Sequence, residues 1–502
     1  MRKAFRDHSH LKFLSVIVTF ALLSSIQVSN YHNVFSRTQG HDKDFFALKM
    51  EETPENNESA NPLLQDEKTT LLNELLQHPE TNTTSLHILL DFLKTHEPTH
   101  RNGEVIIDTL AEEERCARFG FKYTGRKTRR RIFYGSNIAD DSWHPIAAHA
   151  AEAYGLYHTV ALVESNVTHM RTKRTMRFHP PEAIQARAIK GIWGPTTHVF
   201  MDYYHDVGAH IDRRGDSYGL IQEDLQRDLV LGRWIAQGMT TEDIGIIGDV
   251  DEFFTRDFLL AASSCDIPQF RPGQDCKRPK IAGSTLVFES APDCITKGRR
   301  WYHPDMISGE CLHGIGDSAK HPKAERVMDV GFRIRGYLRS GDDDKLLPEN
   351  TTMFPLYKPS DTRMGGGGDM VQGKGGEHTA FHLHNFFNSI ALLRKKYRTY
   401  SHGYKGEERL IPLGKFHEDI ELTVRCITGR NDDHLNLRRD ERGFKAIAGF
   451  SQPLAFKNER YQRARFDEIK DEILQDEEKY GIYGITDGRR EGDDNERADH
   501  DE

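Results

Sequence analysis

Short apolar runs alternate with helical patterns along the middle of the chain, and this alternation constrains the fold more than any other feature. Strand-like runs at residues 131–135, 158–165 and 244–247 are separated by helical patterns at residues 147–157 and 225–239. Such alternation predicts an α/β fold, with a mostly parallel sheet and helices on both faces. In sheets of this kind ligands bind at the carboxyl ends of the strands, so polar residues that end an apolar strand are candidates for a functional site.

The start of the chain has the pattern of a membrane-targeting segment. An apolar run at residues 13–28 follows twelve residues that carry four basic side chains and one acid. No small-x-small cleavage site stands out after it, which favours an uncleaved anchor over a removed signal peptide. Basic residues before a span predict a cytoplasmic N-terminus, so we expect a cytoplasmic tail at residues 1–12, a transmembrane signal anchor at residues 13–30 and a lumenal remainder. N-glycosylation sequons at Asn57, Asn82, Asn166 and Asn350 agree with that placement.

Composition excludes several classes of protein. Lys and Arg number 68 against 77 Asp and Glu, a net charge of −9 that argues against a dedicated nucleic-acid binder. Six cysteines without C-x-x-C spacing argue against a zinc site. Cys265, Cys276, Cys294 and Cys311 share one stretch rich in Pro and Gly, where one or two disulfides can close a long loop, and the sequence leaves their pairing open.

Residues 31–128 have the composition of a stem. They begin polar and acidic and include amphipathic stretches at residues 71–77 and 85–94, which predicts a flexible spacer with short helices. Eight basic residues and no acid lie between residues 115 and 131. Such a run is typical of a solvated or phospholipid-facing segment, and a proprotein cleavage site before Ile132 is the alternative.

A sheet-based domain is expected after the stem, at residues 129–455. Residues 456–502 are predicted to form a C-terminal helix and an acidic tail. Because the last sixteen residues carry eight acids against three Arg, we expect that tail to be disordered.

The sharpest motif is the D-V-D-E sequence at residues 249–252, directly after the apolar run 244–247. Asp249 and Asp251 lie two residues apart, so in an extended chain their side chains share one side and can converge on a divalent cation. Hard carboxylate oxygens suit magnesium or manganese bound together with a diphosphate. A solvated acidic turn is the alternative. Phosphatases that form an aspartyl phosphate need Thr or Val where this chain has Phe253, which disfavours that chemistry.

Three segments, in the same order along the chain, resemble glycosyltransferase family 17, the family of the bisecting β-1,4-mannosyl-glycoprotein N-acetylglucosaminyltransferase. They are V-E-S-N-V-T at residues 163–168, the region from Glu223 through the D-V-D-E motif, and the region from Phe381-His382 to Ser401-His402. The resemblance spans just over half the chain. It implies a GT-A-like fold, related to the Rossmann fold, with inversion at the anomeric carbon and a type II Golgi topology.

The candidate cation ligands are Asp249, Asp251, His382 and His402, with manganese or magnesium as the cation. A buried structural role is the alternative for each histidine. The resemblance covers both of these histidines, which is why they are preferred.

The candidate residues for binding the nucleotide sugar are Glu164, Glu223, Arg227 and Asp249. Glu164 is alternatively a surface carboxylate at a strand edge. Glu223 and Arg227 are alternatively an i, i+4 helix ion pair of ~0.3–0.5 kcal/mol.

Inversion also requires a carboxylate that takes the proton of the acceptor hydroxyl. Glu252, Asp317 and Glu377 are the candidates, and the sequence does not choose among them.

Seven glycines lie in the run at residues 364–376. The run resembles the start of a phosphate-binding P-loop, but Gly375 stands where Ser or Thr must ligate magnesium, so that interpretation is rejected. A disordered insertion is the preferred interpretation, and a mobile loop over the site is the alternative.

The sequence therefore predicts a single-pass type II Golgi membrane enzyme. It is expected to transfer a sugar, N-acetylglucosamine from UDP-GlcNAc, to the glycan of a glycoprotein, with no nucleic-acid partner. A GT-A glycosyltransferase of another donor and acceptor specificity, and a catalytically degenerate sugar-binding Golgi protein, are the alternatives.

Overall fold

The computed structural model describes residues 65–77, 84–95, 101–139, 142–168, 173–204, 218–270, 276, 279–289, 294–296, 301–315, 357–364, 369–386 and 437–439. Its contacts divide the chain into two units, Met1–Asn61 and Pro62–Glu502, and every described residue belongs to the second. The helices are α1 (Gln65–Leu75), α2 (Thr84–Thr95), α3 (Thr109–Arg118), α4 (Trp143–Glu152), α5 (Ile184–Gly191), α6 (Tyr218–Ala236), α7 (Arg256–Ser264) and α8 (Pro359–Met364). The strands are β1 (Ile132–Ile138), β2 (Tyr157–Ser165), β3 (His198–Tyr204), β4 (Ile244–Ile247), β5 (Glu252–Phe254), β6 (Lys280–Gly283), β7 (Thr285–Glu289), β8 (Cys294–Thr296), β9 (Asp305–Ser308), β10 (Asp369–Val371), β11 (Ala380–His384) and β12 (Leu437–Arg439).

A seven-stranded sheet forms the centre of the domain, with strand order β10-β6-β9-β4-β1-β2-β3. Strands β4, β1, β2 and β3 pair in parallel because helices connect them along the chain. Strand β9 is the exception, since it runs antiparallel to both β4 and β6. The predicted α/β fold with a mostly parallel sheet is confirmed at this level.

One helix has other bounds than the sequence predicted. The pattern at residues 147–157 predicted a helix, but α4 starts at Trp143 and ends at Glu152. Gly155 takes a left-handed φ of 76°, and Tyr157 already belongs to β2. The last residues of the predicted helix therefore form a turn and the first residue of β2. Hydropathy alone does not distinguish the end of a helix from the start of a buried strand.

A second sheet, of order β12-β8-β7-β11-β5, lies beyond the carboxyl end of β4. Strand β11 is parallel to β7 and antiparallel to β5. The D-V-D-E motif at residues 249–252 links β4 of the central sheet to β5 of the second sheet. The backbone N–H of Leu383 in β11 donates to the carbonyl of Asp251 at 2.8 Å, so the second sheet fixes this link.

The first two helices of the predicted stem pack on the domain. Helix α1 contacts α5, and α2 contacts α4. Leu75, Leu86 and Leu89 are fully buried in the main apolar core. Burying one leucine side chain contributes about 2 kcal/mol. Helices α1 and α2 are therefore part of the fold, and the prediction of a flexible spacer is wrong for them.

The basic run before β1 is folded into the domain. Arg129 and Arg130 are buried. The Arg129 guanidinium binds Glu112 at 2.7 Å and Glu104 at 2.6 Å, and Arg130 donates to the carbonyl of Cys265 at 2.6 Å. The prediction of a solvated or phospholipid-facing segment is therefore wrong for these two arginines. A protease would reach the bond before β1 only after this part of the domain had opened.

Two disulfides cross-link the domain. Cys116 of α3 is bonded to Cys265 after α7, and Cys276 is bonded to Cys311. The stretch rich in Pro and Gly therefore contains one internal disulfide, while Cys265 pairs outside that stretch.

Part of the glycine run is ordered structure. Strand β10 lies within it and pairs in parallel with β6. Gly375 and Gly376 take φ values of 76° and 82° in the turn that leads toward β11. The prediction of a disordered insertion is wrong for residues 369–376, and residues 365–368 lie outside the described part of the chain.

Among the described residues, no helix combines the length and apolarity needed to cross a membrane. The predicted anchor at residues 13–30 and the predicted tail at residues 456–502 lie outside those residues.

Glu112 holds α3 against the domain through Arg129 and Ser264. Burial opposes ionisation, but hydrogen bonds from Arg129, Ser264 and Arg115 lower the pKa of Glu112 to about 2. Glu112→Gln should lower the free energy of unfolding by about 2 kcal/mol, because the buried Arg129 guanidinium then keeps one carboxylate partner, Glu104, instead of two. Urea denaturation measures this change.

The matched control is Glu113→Gln, since Glu113 is the exposed neighbour on the same helix. It should change the free energy of unfolding by less than about 0.5 kcal/mol. Equal effects of the two substitutions would show that the buried ion pair does not hold α3.

Candidate active site at the carboxyl end of β4

The candidate site is the turn at residues 249–252. A Cβ atom added at Gly248 would lie 2.8 Å from the Cβ of Pro304, so the turn packs directly against the chain that enters β9. Asp249 faces two arginines and Asp251 faces a histidine. The two aspartates therefore have different partners, because the chain turns at Val250 and Asp251 to join the second sheet.

Asp249 is held by two guanidinium groups. Nη2 of Arg227 lies 2.8 Å from Oδ1, and Nη2 of Arg363 lies 3.0 Å from Oδ2. Burial opposes ionisation, but Arg363 and Arg227 hold the pKa of Asp249 well below its usual range. The carboxylate is thus ionised at neutral pH, and with 39% of its side chain exposed it remains accessible to a ligand.

Arg227 brings α6 to the turn. It is buried and pairs with Glu223 one helical turn earlier, so the predicted i, i+4 ion pair is present. Unlike the arginine of an isolated helix ion pair, Arg227 also forms an ion pair with a third residue, Asp249. Arg227 therefore lies beside the motif, while Glu223 acts through it.

Glu252 is fully buried and accepts several hydrogen bonds. Its oxygens accept from the guanidinium of Arg363, from Nε1 of Trp301 at 2.7 Å and from the backbone N–H of Asp249 at 3.2 Å. Because both oxygens of Glu252 accept hydrogen bonds from other parts of the chain, this carboxylate fixes the conformation of the turn at residues 249–252. This arrangement favours a positioning role over the predicted role as catalytic base.

His149 of α4 supports the middle of the turn. Burial lowers the pKa of His149 to about 3, so the ring is neutral. Nδ1–H donates to the carbonyl of Val250 at 3.1 Å, and Nε2 accepts from the hydroxyl of Tyr157 at 2.9 Å. The ring stacks on Phe253, with centroids 4.8 Å apart, and contacts Trp193 edge-on. A neutral histidine in an aromatic box therefore fixes the residue between the two aspartates.

Asp251 and His382 offer ligands for a cation. Oδ2 of Asp251 lies 3.6 Å from Nε2 of His382, which is buried and stacks on Trp301. Nδ1 of His382 is buried without a hydrogen-bond partner among the described residues. A carboxylate and an imidazole suit manganese, and such a cation takes its other ligands from water and phosphate.

The rest of the predicted cation site differs from expectation. Both oxygens of Asp249 already bind guanidinium groups, and His402 lies outside the described residues. Within the described part of the chain, no three His, Cys, Asp or Glu side chains come together as a metal site. The residues present fit a cation with two protein ligands.

Glu164 is placed in a role that the sequence did not predict. It is fully buried, and its carboxylate accepts from the backbone N–H groups of Arg177, at 2.5 Å, and Phe178, at 2.9 Å. The alternative of a surface carboxylate is therefore wrong. Glu164 thus fastens the loop after β2 to the end of that strand.

The other predicted bases lie elsewhere. Glu377 precedes β11 and binds Arg118 of α3 at 2.8 Å, with 41% of its side chain exposed. Asp317 lies outside the described residues.

Sequence reasoning missed Arg363, Trp301 and His149. Arg363 lies in a six-residue helix with no motif around it. His149 is the one polar residue within an alanine-rich stretch of α4, which is a weak signal of a buried polar role. Trp301 is joined to the turn by tertiary structure alone.

The neutral, buried His149 should make the stability of the fold depend on pH. Its folded pKa of about 3 lies below its usual value of 6.5, so the unfolded chain takes up a proton that the folded chain does not. Stability should therefore fall as the pH is lowered from 6.5 toward 3, by about 1.4 kcal/mol per pH unit from this residue. Urea denaturation at pH 7, 6 and 5 measures the slope.

His149→Asn keeps a donor for Val250 and does not titrate, so it should show a shallower slope than the wild-type chain. His149→Ala should share that shallow slope and be less stable at pH 7, because it also removes the donor. Identical slopes for the wild-type and Asn chains would contradict the neutral, buried histidine.

Comparisons with known proteins add little to this geometry. No protein-family model matches the chain, and no curated protein matches it. The chain is similar to two solved structures of the glycosyltransferase GlyE in Streptococcus pneumoniae TIGR4, the second of them the apo-form. The first has 7% identity and a TM-score of 0.20 over 69% of this chain and 64% of that chain, and the second has 8% and 0.19 over 70% and 64%. The match spans less than two thirds of the GlyE chain, and TM-scores this low assign neither a fold nor a function.

Proposed function

We propose that this chain is a GT-A-like glycosyltransferase that moves a sugar from a nucleotide donor to a glycan. The observation that carries the proposal is the D-V-D-E turn at the carboxyl end of β4, with Asp251 beside His382 and Asp249 held by Arg227 and Arg363. A mostly parallel sheet binds ligands at this edge. The resemblance to family 17 in the sequence supports the same proposal.

The charges of the turn suit a diphosphate. Three carboxylates within four residues would repel an anionic donor. Arg227 and Arg363 balance Asp249 and Glu252 through close ion pairs. The same guanidinium groups are planar donors that match phosphate oxygens, and the exposed part of Asp249 marks where a ligand reaches them.

A divalent cation, manganese or magnesium, would be held by Asp251 and His382. It would supply positive charge to the diphosphate as this group departs with its electron pair. Glu252 and His149 keep the turn in one conformation before the donor binds. A turn that is already fixed loses little conformational entropy on binding, which favours affinity.

The finer parts of the proposal come from the sequence. The donor is UDP-GlcNAc, the acceptor is the N-glycan of a glycoprotein, and transfer inverts the anomeric carbon. The chain is a type II Golgi membrane protein with its catalytic domain in the lumen. A GT-A glycosyltransferase with another donor would share the D-V-D-E turn and differ in the nucleotide sugar that it binds.

The third prediction concerns Asp251. Ligands that bind only the folded state raise its apparent stability, so a thermal-shift panel of nucleotide sugars with manganese identifies the donor. Asp251→Asn should weaken binding of that donor by at least about 10-fold, because it removes a charged ligand of the cation. Isothermal titration calorimetry measures the dissociation constant with manganese and with EDTA.

The control is Asp257→Asn, at an exposed aspartate of α7 that pairs with Arg118. It should bind the donor as the wild-type chain does. If the wild-type chain binds no nucleotide sugar in either condition, the proposed function is wrong. If Asp251→Asn binds as well as the wild type, the cation site is wrong.

A further inference from the structure

His303 and Asp305 form a hydrogen-bonded pair at the rim of the turn. Nδ1 of His303 is bonded to Oδ2 of Asp305, which is buried. Oδ1 of Asp305 binds Nζ of Lys280 at 2.9 Å. The His303 side chain is 25% exposed, and its Nε2 atom has no hydrogen-bond partner among the described residues. Nδ1 of this ring is therefore anchored by Asp305, while the ring as a whole stays partly exposed at the rim of the turn.

The fold brings this pair to the D-V-D-E turn. Asp305 of β9 lies opposite Ile247, the last residue of β4, so His303 lies beside the segment that enters the turn. The His303 ring contacts Trp301, with centroids 5.5 Å apart. Trp301 in turn bonds Glu252 and stacks on His382. His303 is thus one side chain away from two residues of the candidate site.

Asp305 determines which nitrogen of His303 carries the proton. Burial opposes ionisation, but Lys280 and His303 keep the pKa of Asp305 below its usual value, so Asp305 is a carboxylate. An ionised carboxylate only accepts hydrogen bonds, so Nδ1 of His303 is the donor. In the neutral ring the lone pair then lies on Nε2. A carboxylate behind a histidine also stabilises the imidazolium that forms when Nε2 takes a proton.

We propose that His303 is the general base of the transfer, with Asp305 as its positioning residue. This inference rests on the proposed glycosyltransferase function. Nε2 takes the proton of the acceptor hydroxyl while the oxygen forms a bond to the anomeric carbon of the donor. The bond from that carbon to the diphosphate breaks, and its electron pair leaves with the diphosphate. The imidazolium then releases the proton to water.

The pair fits this role better than Glu252 and Glu377, the two expected carboxylates that the structure describes. Glu252 is fully buried with both oxygens occupied, and Glu377 is bound to Arg118. His303 combines a partly exposed ring with an orientation that Asp305 fixes. His303 and Asp305 lie two residues apart, the same i, i+2 spacing as Asp249 and Asp251. Asp305 is also the first residue of an apolar strand, β9.

The test uses the full chain with UDP-GlcNAc, manganese and water as the acceptor. The rate of UDP release gives kcat and KM, and calorimetry gives the dissociation constant of UDP-GlcNAc. His303→Ala should lower kcat at least about 100-fold, the usual contribution of a general base. The dissociation constant should change less than about 3-fold, and added imidazole should restore part of the rate.

His303→Gln keeps the size of the side chain and guards against misfolding, and it should lose kcat in the same way without loss of thermal stability. His87→Ala, at an exposed histidine of α2, should turn over as the wild type does.

A wild-type kcat in both His303 variants would overturn the assignment while leaving the proposed function standing. A loss of donor binding without rescue by imidazole would also overturn it, in favour of a structural role. A wild-type chain that neither binds nor hydrolyses UDP-GlcNAc would overturn the proposed function and this inference together.

Discussion

Arg363 joins two carboxylates, Asp249 and Glu252, that lie three residues apart in one turn. Leaving the buried Glu252 carboxylate without a partner would cost several kcal/mol, and the guanidinium that pairs with it also binds Asp249. Because Arg363 comes from α8, the conformation of the turn depends on a helix more than one hundred residues later in the chain. Arg227 adds a second cation from α6. The candidate site is therefore a product of tertiary structure, although its motif is local.

The two sheets meet at this turn, and the surrounding contacts serve the same arrangement. His149 fixes the carbonyl of Val250 from the central domain, and β11 fixes the carbonyl of Asp251 from the second sheet. Strand β9 pairs with β4 beside the turn, and the Lys280–Asp305 ion pair ties β9 to β6. The turn is thus held from both sides, which gives a rigid site rather than a loop that must order on binding.

The alternation of apolar strands and helices was enough to predict the central sheet, because strand burial in β1, β2 and β4 leaves a strong hydrophobic signal. The D-V-D-E motif was also visible, since it follows a buried strand. Arg363 was not visible, because a single arginine in a short helix carries no pattern until the fold brings it to Asp249. Glu164 was visible at the end of a strand, but its burial was not, since burial and backbone hydrogen bonds depend on the loop that covers it.

The central claim is that the turn at residues 249–252 binds the diphosphate of a nucleotide sugar. Hydrogen–deuterium exchange of the full chain, with and without UDP-GlcNAc and manganese, tests it most directly. Slower exchange of the backbone N–H groups at residues 248–254 and 301–305 on adding the ligand is the predicted result. Binding with unchanged exchange in both segments, and slower exchange elsewhere in the chain, would contradict it.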